Sequence, residues 1–289
     1  MKVAVITDLE GVAGVLNVQD YIFPESKYYE QAKELLTEEV NAAIRGLYDA
    51  GATETVVIDA HGPGAIDVLK LDKRALYSRG WKRNNQFGLD YGFDAVIWVG
   101  QHAKAGTIGS HLTHTGSFYV LEHRLNGISV GEYGQNAAVA GFYGVKPIFA
   151  AGERALKEEI KEITPWVHTV EVKYGVTEDN GANCDAEQYE RHNLGAVHVH
   201  PLVARERIYE GAKAALLDFK ANPDKFKTFS VKPPFVLETW LRKRKEYPAQ
   251  KIVRRHDSDI ISMYHAEYEI HEEGTYELPY EYICKKSSD

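Results

Sequence analysis

Short runs of apolar, β-branched residues alternate with longer stretches of helical spacing in the first half of the chain. The run KVAVIT (2–7) is typical of a strand buried on both faces. The runs TETVVIDAHG (53–62), DAVIWVGQHA (94–103) and KPIFAAG (146–152) follow the same pattern. Strands separated by helices pair in parallel through right-handed crossovers. The sequence therefore predicts an α/β fold with three layers around a mostly parallel sheet.

The segments between these runs predict helices and one hairpin. Apolar residues recur at three- and four-residue spacing from Tyr29 to Leu47, and Gly51 stands where a helix stop is expected. GQNAAVAGFYG (134–144) predicts a helix of small residues that packs closely. FYVLEHRLNGISVGE (118–132) predicts a hairpin, because the step Asn126–Gly127 tolerates the positive φ angles of a type I′ turn.

The pattern of predicted elements changes after the step Thr164–Pro165. Strand-like runs such as PFVLETWL (234–241) surround one clear helix, ARERIYEGAKAALLDFK (204–220), and the stretch 177–188 is polar and rich in turn residues. We therefore expect a larger α/β domain over residues 1–164 and a smaller α+β domain over 165–289. The charged run RKRKE (242–246) is expected to be a solvated surface.

Composition excludes several classes of partner. The 289 residues carry a formal net charge of -8, which argues against binding to nucleic acid or to an anionic membrane surface. Cys184 and Cys284 are the only cysteines, too few for a disulfide framework or a thiolate zinc site. The N-terminus lacks a signal-peptide pattern, and no run is apolar enough to span a membrane. We expect a cytoplasmic protein whose partners are small molecules or peptides.

Carboxylates and imidazoles follow three of the predicted strands at the point where each strand ends. Carboxyl ends of parallel strands meet at one edge of a sheet, where ligands bind in open α/β folds. A mixed set of oxygen and nitrogen donors suits zinc or, less well, manganese. Five protein ligands exceed the needs of one catalytic zinc ion, which leaves room for a second ion that shares a carboxylate. The candidate ligands are Asp8, Glu10, His61, His102 and Glu132.

Each of these residues also has a structural explanation when taken alone. An Asp at a strand end often caps the following turn, as Asp8 would. A single His61 or His102 would more often be a hydrogen-bonded histidine of the core or surface, and Glu132 suits a helix N-terminus. These explanations do not account for five such residues at one edge of the predicted sheet.

Five linked motifs resemble those of the M55 family of metallopeptidases, the DppA-type D-aminopeptidases. They are TDLEGVAGV, DAHG, GQHAKAG, LTHT and NGISVGEYGQNAAVAGFYGVKPIFAAGE, and they run in order through roughly the first 160 residues. The resemblance implies two Zn²⁺ ions per chain, with Asp8 bridging them. The first ion would be bound by Asp8, Glu10 and His61, and the second by Asp8, His102 and Glu132.

The resemblance also implies a reaction and an assembly. Residues 1–164 would be the catalytic domain, and 165–289 would supply assembly and pocket contacts. The catalytic histidine of the family falls on His114 in LTHT, with His111 in GSHL as the rival. The family's activity would be zinc-dependent release of N-terminal D-amino acids from short peptides by metal-activated water, in a homodecamer. The polar segment 177–192 departs from the expected family pattern. The resemblance therefore does not define the substrate pocket or the assembly contacts.

Two alternative functions remain from the residues alone. A dinuclear site of this kind also suits hydrolysis of another amide or of a phosphoester. Structural metals in a ring-forming binding protein are the non-catalytic alternative, although structural zinc sites are usually closed and rich in cysteine. The choice between D- and L-amino acids depends on pocket shape, which no motif encodes.

Overall fold

The structure is a computed structural model that describes residues 1–80 and 88–279. Cys284 and the last ten residues of the predicted smaller domain lie outside the described residues. The strands are β1 (Lys2–Thr7), β2 (Glu54–Asp59), β3 (Leu76–Ser78), β4 (Ala95–Gln101), β5 (Val120–Leu125), β6 (Ile128–Ser129), β7 (Lys146–Glu153), β8 (His168–Gly175), β9 (Ala196–His198), β10 (Phe235–Leu241), β11 (Gln250–His256) and β12 (Tyr268–Glu272). The helices are α1 (Val18–Tyr21), α2 (Tyr29–Asp49), α3 (Glu132–Phe142), α4 (Leu156–Ile163), α5 (Ala186–His192), α6 (Pro201–Ala221) and α7 (Ile260–His265).

A seven-stranded sheet forms the centre of the molecule. Its strand order is β3-β2-β1-β4-β7-β8-β9, and every pair is parallel except β8 with β9. The central strand β1 lies between β2 and β4, and every residue of β4 is buried. Strands buried on both faces explain the continuous apolar runs of the sequence. The predicted mostly parallel α/β sheet is confirmed.

Helices cover both faces of this sheet. Leu36 and Val40 of α2 pack with Ile208 of α6 in the hydrophobic core on one face. A second core on the other face contains residues of α3, α4 and α7. Helices α2 and α6 approach closely because position 46 is glycine, where a Cβ atom would lie 2.4 Å from the carbonyl oxygen of Tyr209. The predicted three-layer arrangement is therefore confirmed.

A second, antiparallel sheet has the order β12-β11-β10-β5-β6. Strands β5 and β6 form the predicted hairpin, with positive φ angles of 50° at Asn126 and 81° at Gly127. Each sheet contains strands from both sides of the step Thr164–Pro165, since β8 and β9 join the parallel sheet and β5 and β6 join the antiparallel one. The division of the chain into domains at this step stays a prediction.

The polar segment 177–192 contains a helix, α5, that Asp185 caps through the backbone N–H of Gln188. Arg242 anchors this segment, because its guanidinium lies 3.8 Å from the ring centre of Tyr189 and donates to the carbonyl oxygens of Gly181 and Cys184. The prediction that the run 242–246 is entirely solvated is wrong at Arg242, which is buried.

In residues 1–80 and 88–279, no helix combines the length and apolar character required to span a bilayer.

Candidate metal centre

The predicted ligands come together because three neighbouring strands end at one edge of the parallel sheet. Asp8 directly follows β1, His61 follows β2 by two residues, and His102 directly follows β4. The loop after β1 lies directly on β4, since Gly11 donates from its N–H to the carbonyl oxygen of Gly100 at 2.7 Å. A Cβ atom at position 11 would lie only 2.2 Å from the carbonyl oxygen of Gln101. Glycine at this position therefore lets Glu10 reach the same edge.

A first cluster contains Asp8, Glu10 and His61. All three side chains are buried, and one ligand atom from each lies within 4.8 Å of the other two. The Nδ1 atom of His61 lies 3.4 Å from Asp8 Oδ1 and 3.3 Å from Glu10 Oε2. These are the residues that the family resemblance assigns to the first metal ion.

A second cluster contains His102, His114 and Glu132, again with ligand atoms within 4.8 Å of one another. Glu132 is the first residue of α3, and its Oε1 atom lies 3.5 Å from Nε2 of His102 and 3.6 Å from Nε2 of His114. The two imidazole rings stack with their centres 4.3 Å apart. The structure thus brings His114, predicted as the catalytic residue, beside two predicted ligands of the second ion.

Asp8 connects the two clusters. Its Oδ1 atom faces His61, whereas its Oδ2 atom lies 3.2 Å from Nε2 of His102. The carboxylate is held in this orientation by the backbone N–H of Leu9, which donates to Oδ1 at 2.9 Å, and by Gln101 Nε2, which donates to Oδ2 at 3.1 Å. One oxygen facing each cluster is the geometry that a bridging carboxylate requires.

Backbone carbonyl oxygens fix the ring orientation of all three histidines. A carbonyl oxygen only accepts hydrogen bonds, so the ring nitrogen beside it carries the proton and the other nitrogen of a neutral ring presents a lone pair to the site. Carbonyl partners of this kind are typical of histidines that bind metals. The contacts are His61 Nε2 to Ile22 at 3.0 Å, His102 Nδ1 to Ala103 at 2.7 Å and His114 Nδ1 to Leu112 at 2.9 Å.

Two buried atoms at the centre have no hydrogen-bond partner among the described residues, Glu10 Oε2 and His102 Nε2. Both atoms nevertheless lie within 3.3 Å of another ligand atom. Burying a polar atom without a partner is costly, and a cation between such atoms would remove that cost. Carboxylate and imidazole donors at these positions fit zinc.

The carboxylates show how strongly the site attracts positive charge. Burial, followed by the charges of Glu10 and Glu132, raises the pKa of Asp8 above its ordinary value. Burial acts in the same direction on Glu132, but His102 and His114 outweigh it and lower its pKa to about 2. The pKa of Glu10 is likewise held well below its usual range against the effect of burial, chiefly by His61.

The pKa values of two histidines, His61 and His102, are raised by the same charges. Burial disfavours the charged imidazole, but Glu10 outweighs burial at His61 and Glu132 outweighs it at His102, so that both pKa values are raised well above the ordinary one. Three carboxylates in one buried space therefore favour positive charge beside them, which metal ions would supply.

His111, the rival to His114, points away from the two clusters. Its Nε2 atom lies 3.1 Å from the carbonyl oxygen of Leu16, and its ring meets that of His198 edge-on at 5.3 Å. Burial, reinforced by nearby Lys173 and His198, lowers the pKa of His111 to about 2. A neutral histidine outside the clusters is poorly placed for the chemistry expected of His114.

Glu153 at the end of β7 is a buried residue that sequence reasoning missed. Its Oε1 atom accepts from the backbone N–H of Ala103 at 2.7 Å and from the hydroxyl of Thr113 at 2.9 Å. Its Oε2 atom accepts from the backbone N–H of His111 at 2.6 Å. The carboxylate thus ties down both ends of the loop between His102 and His114. An acid at the carboxyl end of another parallel strand is the signal that would have found it.

Asp59, by contrast, plays no direct part in either cluster. Both of its carboxylate oxygens accept from the backbone N–H of Ala65 at 3.0 Å, and Oδ2 also accepts from the hydroxyl of Tyr77. These contacts shape the loop after β2.

A cavity of about 730 Å³ opens over the centre, and Asp8, Glu10, His61, His114 and Glu132 lie in its wall. The wall also contains Gln135 and Asn136 of α3 and His123 of β5, which sequence reasoning missed.

Asn136 is 3% exposed, and its Oδ1 atom has no hydrogen-bond partner among the described residues. Because Asn136 lies four residues after Glu132, helical periodicity places both on one face of α3. That spacing is the signal from which the residue could have been found.

The fold and the two clusters together define an α/β protein with a candidate two-metal centre at the carboxyl edge of its parallel sheet. Comparison with known proteins agrees with this class. The model of the M55 peptidase family, described as D-aminopeptidase, matches residues 1–269, and the chain therefore belongs to this family. The resemblance seen in the sequence motifs is confirmed.

Individual relatives support the same assignment. A curated D-aminopeptidase from Bacillus subtilis (strain 168) is 33% identical over 180 residues, which make up 61% of this chain and 65% of that relative. The match thus spans just under two thirds of the relative's length. The structure of the Zn-dependent D-aminopeptidase DppA from Bacillus subtilis, a self-compartmentalizing protease, has a TM-score of 0.76 at 24% identity. The matched region covers 92% of this chain and 94% of that protein's chain. The similarity shows that the two proteins share a fold.

Proposed function

We propose that this chain is a zinc-dependent aminopeptidase that releases N-terminal D-amino acids from short peptides. The observation that carries the proposal is the placement of two ligand clusters, joined by Asp8, in the wall of one open cavity. Membership of the M55 family and the D-aminopeptidase from Bacillus subtilis support the choice of reaction.

The proposal places two zinc ions in each chain. Asp8, Glu10 and His61 would hold the first ion, and Asp8, His102 and Glu132 the second. Zinc held by these residues would supply the polarisation of a peptide carbonyl and an activated water as the nucleophile for hydrolysis. The chain contributes the orientation of the ligands, since Gln101 and Leu9 hold Asp8 with one oxygen towards each cluster.

His114 is the proposed catalytic residue. Its Nδ1–H is held by the carbonyl oxygen of Leu112, and its Nε2 atom points towards Glu132 in the cavity wall. Phe118 packs against the ring, with the two ring centres 4.6 Å apart, and limits its movement. A histidine fixed in this way is placed to accept a proton from the attacking water at Nε2 and pass it to the leaving amine, or, once protonated, to stabilise the developing oxyanion.

Assembly and location belong to the proposal as well. The structural relative is called a self-compartmentalizing protease, which supports a homo-oligomer for this chain, and we propose a decamer. A cytoplasmic location is consistent with the scarcity of cysteine.

The deciding experiment compares D-Ala and L-Ala p-nitroanilides and dipeptides as substrates of metal-quantified protein. Turnover of the D series that disappears on chelation and returns with zinc, at about two zinc ions per chain, would support the proposal. Equal turnover of both series would remove the stereochemical part of it. Hydrolysis of p-nitrophenyl phosphate with no peptide turnover would replace it with a dinuclear phosphoesterase.

A further inference from the structure

The cavity has a cationic segment in its wall that the metal centre does not use. Arg244 and Lys245, in the loop between β10 and β11, both lie in this wall. Among the described residues, no carboxylate forms an ion pair with either side chain. Two cations without an acidic partner face the same space as the metal ligands.

The loop holds Arg244 rigidly. Its backbone exchanges hydrogen bonds of 3.0 and 2.8 Å with Tyr247, which closes a tight turn around Lys245. Lys245 has a φ angle of 48°, a left-handed conformation that residues other than glycine adopt infrequently. The guanidinium of Arg244 lies 4.6 Å from the ring centre of Tyr119 and 5.7 Å from that of Tyr247. Two aromatic rings thus orient the guanidinium before any ligand arrives.

One short segment connects this cationic end to the metal centre. Phe118 packs on the ring of His114, and the next residue, Tyr119, packs against Arg244. Both aromatic residues lie in the cavity wall. The cationic end and the metal centre therefore border one cavity, joined along its wall by two consecutive aromatic residues.

The cavity wall beside this cationic segment favours a ligand that carries both charges, because α5 adjoins the loop through the backbone N–H of Ala186, which donates to the carbonyl oxygen of Lys243 at 2.9 Å. Glu187 and Glu190 of α5 lie in the cavity wall with exposed side chains. Tyr189 fixes this helix, because its hydroxyl accepts from the backbone N–H of Gly106 at 2.7 Å. Acids on this wall oppose a polyanionic ligand, whereas a short peptide with one ammonium and one carboxylate group has no net charge.

We propose that Arg244 and Lys245 bind the free C-terminal carboxylate of the substrate peptide while its N-terminal residue lies at the metal centre. The inference rests on the proposed peptidase function and gives it a substrate class, namely short peptides with an unblocked C-terminus. A guanidinium presents a planar fork that matches a carboxylate, and an ammonium group adds charge beside it.

The test compares D-Ala-D-Ala with its C-terminal amide as substrates of the zinc-loaded protein. Wild-type protein is expected to show a kcat/KM about tenfold or more higher for the free acid, because a hydrogen bond to a charged group contributes at least that much. The double variant Arg244→Gln and Lys245→Gln should lower kcat/KM for the free acid by about tenfold more than for the amide, and so lose this preference. Arg244→Lys should retain part of the preference, since it keeps the charge without the fork.

Lys243→Gln is the matched control, because it removes one charge from the same run at an exposed position outside the cavity wall. It should behave as wild type towards both substrates. Equal kcat/KM values for acid and amide in wild-type protein would overturn the carboxylate site and leave the peptidase function intact. No turnover of either substrate would overturn the proposed function, and this inference with it. An equal loss for both substrates in the double variant would show that the loop acts on structure and not on the carboxylate.

Discussion

The Oε2 atom of Glu153 accepts a 2.6 Å hydrogen bond from the backbone N–H of His111. His111 lies near the end of the loop that runs from His102 to His114, and the other oxygen of Glu153 holds that loop at Ala103 and Thr113. The second ligand cluster therefore depends on a carboxylate that does not itself belong to it. Mutation of residues that position metal ligands typically lowers metal affinity by about 10–100-fold.

Glu153→Gln should destabilise the protein and weaken metal binding. The amide places an N–H₂ group against N–H or O–H donors, so at least one buried donor loses its acceptor, at a cost of about 1–3 kcal/mol. Zinc affinity should fall by about 10–100-fold. Urea unfolding and zinc titration measure the two effects. Glu158→Gln, an exposed position paired only with Lys161, should change neither quantity. A fully stable Glu153→Gln protein with unchanged affinity would contradict this role.

Asp8→Asn and Glu10→Gln should differ in the number of zinc ions they retain. Asp8 faces both clusters, whereas Glu10 contacts only His61 of the first. After dialysis against zinc-free buffer, Glu10→Gln should keep about one zinc ion per chain and Asp8→Asn fewer than one. Elemental analysis gives the ratio, and the exposed Glu30→Gln serves as the control. The same loss in both variants would show that Asp8 does not bridge.

His114→Ala should lower kcat by a factor of about 10²–10⁴, the usual contribution of a general acid or base. Zinc content should stay at that of wild type, because Asp8, His102 and Glu132 remain to hold the second ion. Loss of one zinc ion would instead make His114 a ligand, and an unchanged kcat would exclude both roles. His111→Gln should retain kcat per folded chain, since the His111 ring contacts Leu16 and His198 outside the clusters.

The placement of three candidate metal ligands could be predicted from sequence because it follows from one topological rule. Asp8, His61 and His102 each follow a parallel strand, and β1 lies between the other two strands. Once the runs are assigned to one parallel sheet, their carboxyl ends must share an edge. This shared edge can be predicted without knowledge of individual side-chain contacts.

The walls of the cavity could not be predicted in this way. Arg242 belongs to a charged run that normally faces water, and its burial depends on the contact with Tyr189 in a segment far away in sequence. The pairing of β5 with β10 joins residues more than 100 positions apart, which no local pattern encodes. Asn136 could be predicted only in part. Its position follows from that of Glu132 by helical spacing, but the lack of a hydrogen-bond partner among the described residues is visible only in the fold.

Glu39 of α2 provides a pH-dependent prediction that is independent of the metal ligands. The side chain is buried and accepts from the backbone N–H of Ala13 at 3.0 Å. Burial raises the pKa of Glu39 to about 8, against the opposing effects of that hydrogen bond, Lys173 and Arg205. The folded protein therefore holds a proton that the unfolded chain releases above its ordinary pKa of 4.5. The stabilising effect of the neutral form is complete below pH 4.5 and is lost as pH rises towards 8.

Glu39→Gln should remove this loss, because the amide still accepts from Ala13 and does not ionise. Between pH 5 and 8 the wild-type protein should lose up to about 1.4 kcal/mol of stability per pH unit relative to the variant. Urea unfolding of both zinc-loaded proteins across this range measures the difference, in which effects common to both cancel. Glu38→Gln is the matched control, since that neighbouring side chain is only partly buried beside Arg205. Parallel stability curves for wild type and Glu39→Gln would show that Glu39 is ionised in the folded protein throughout the range.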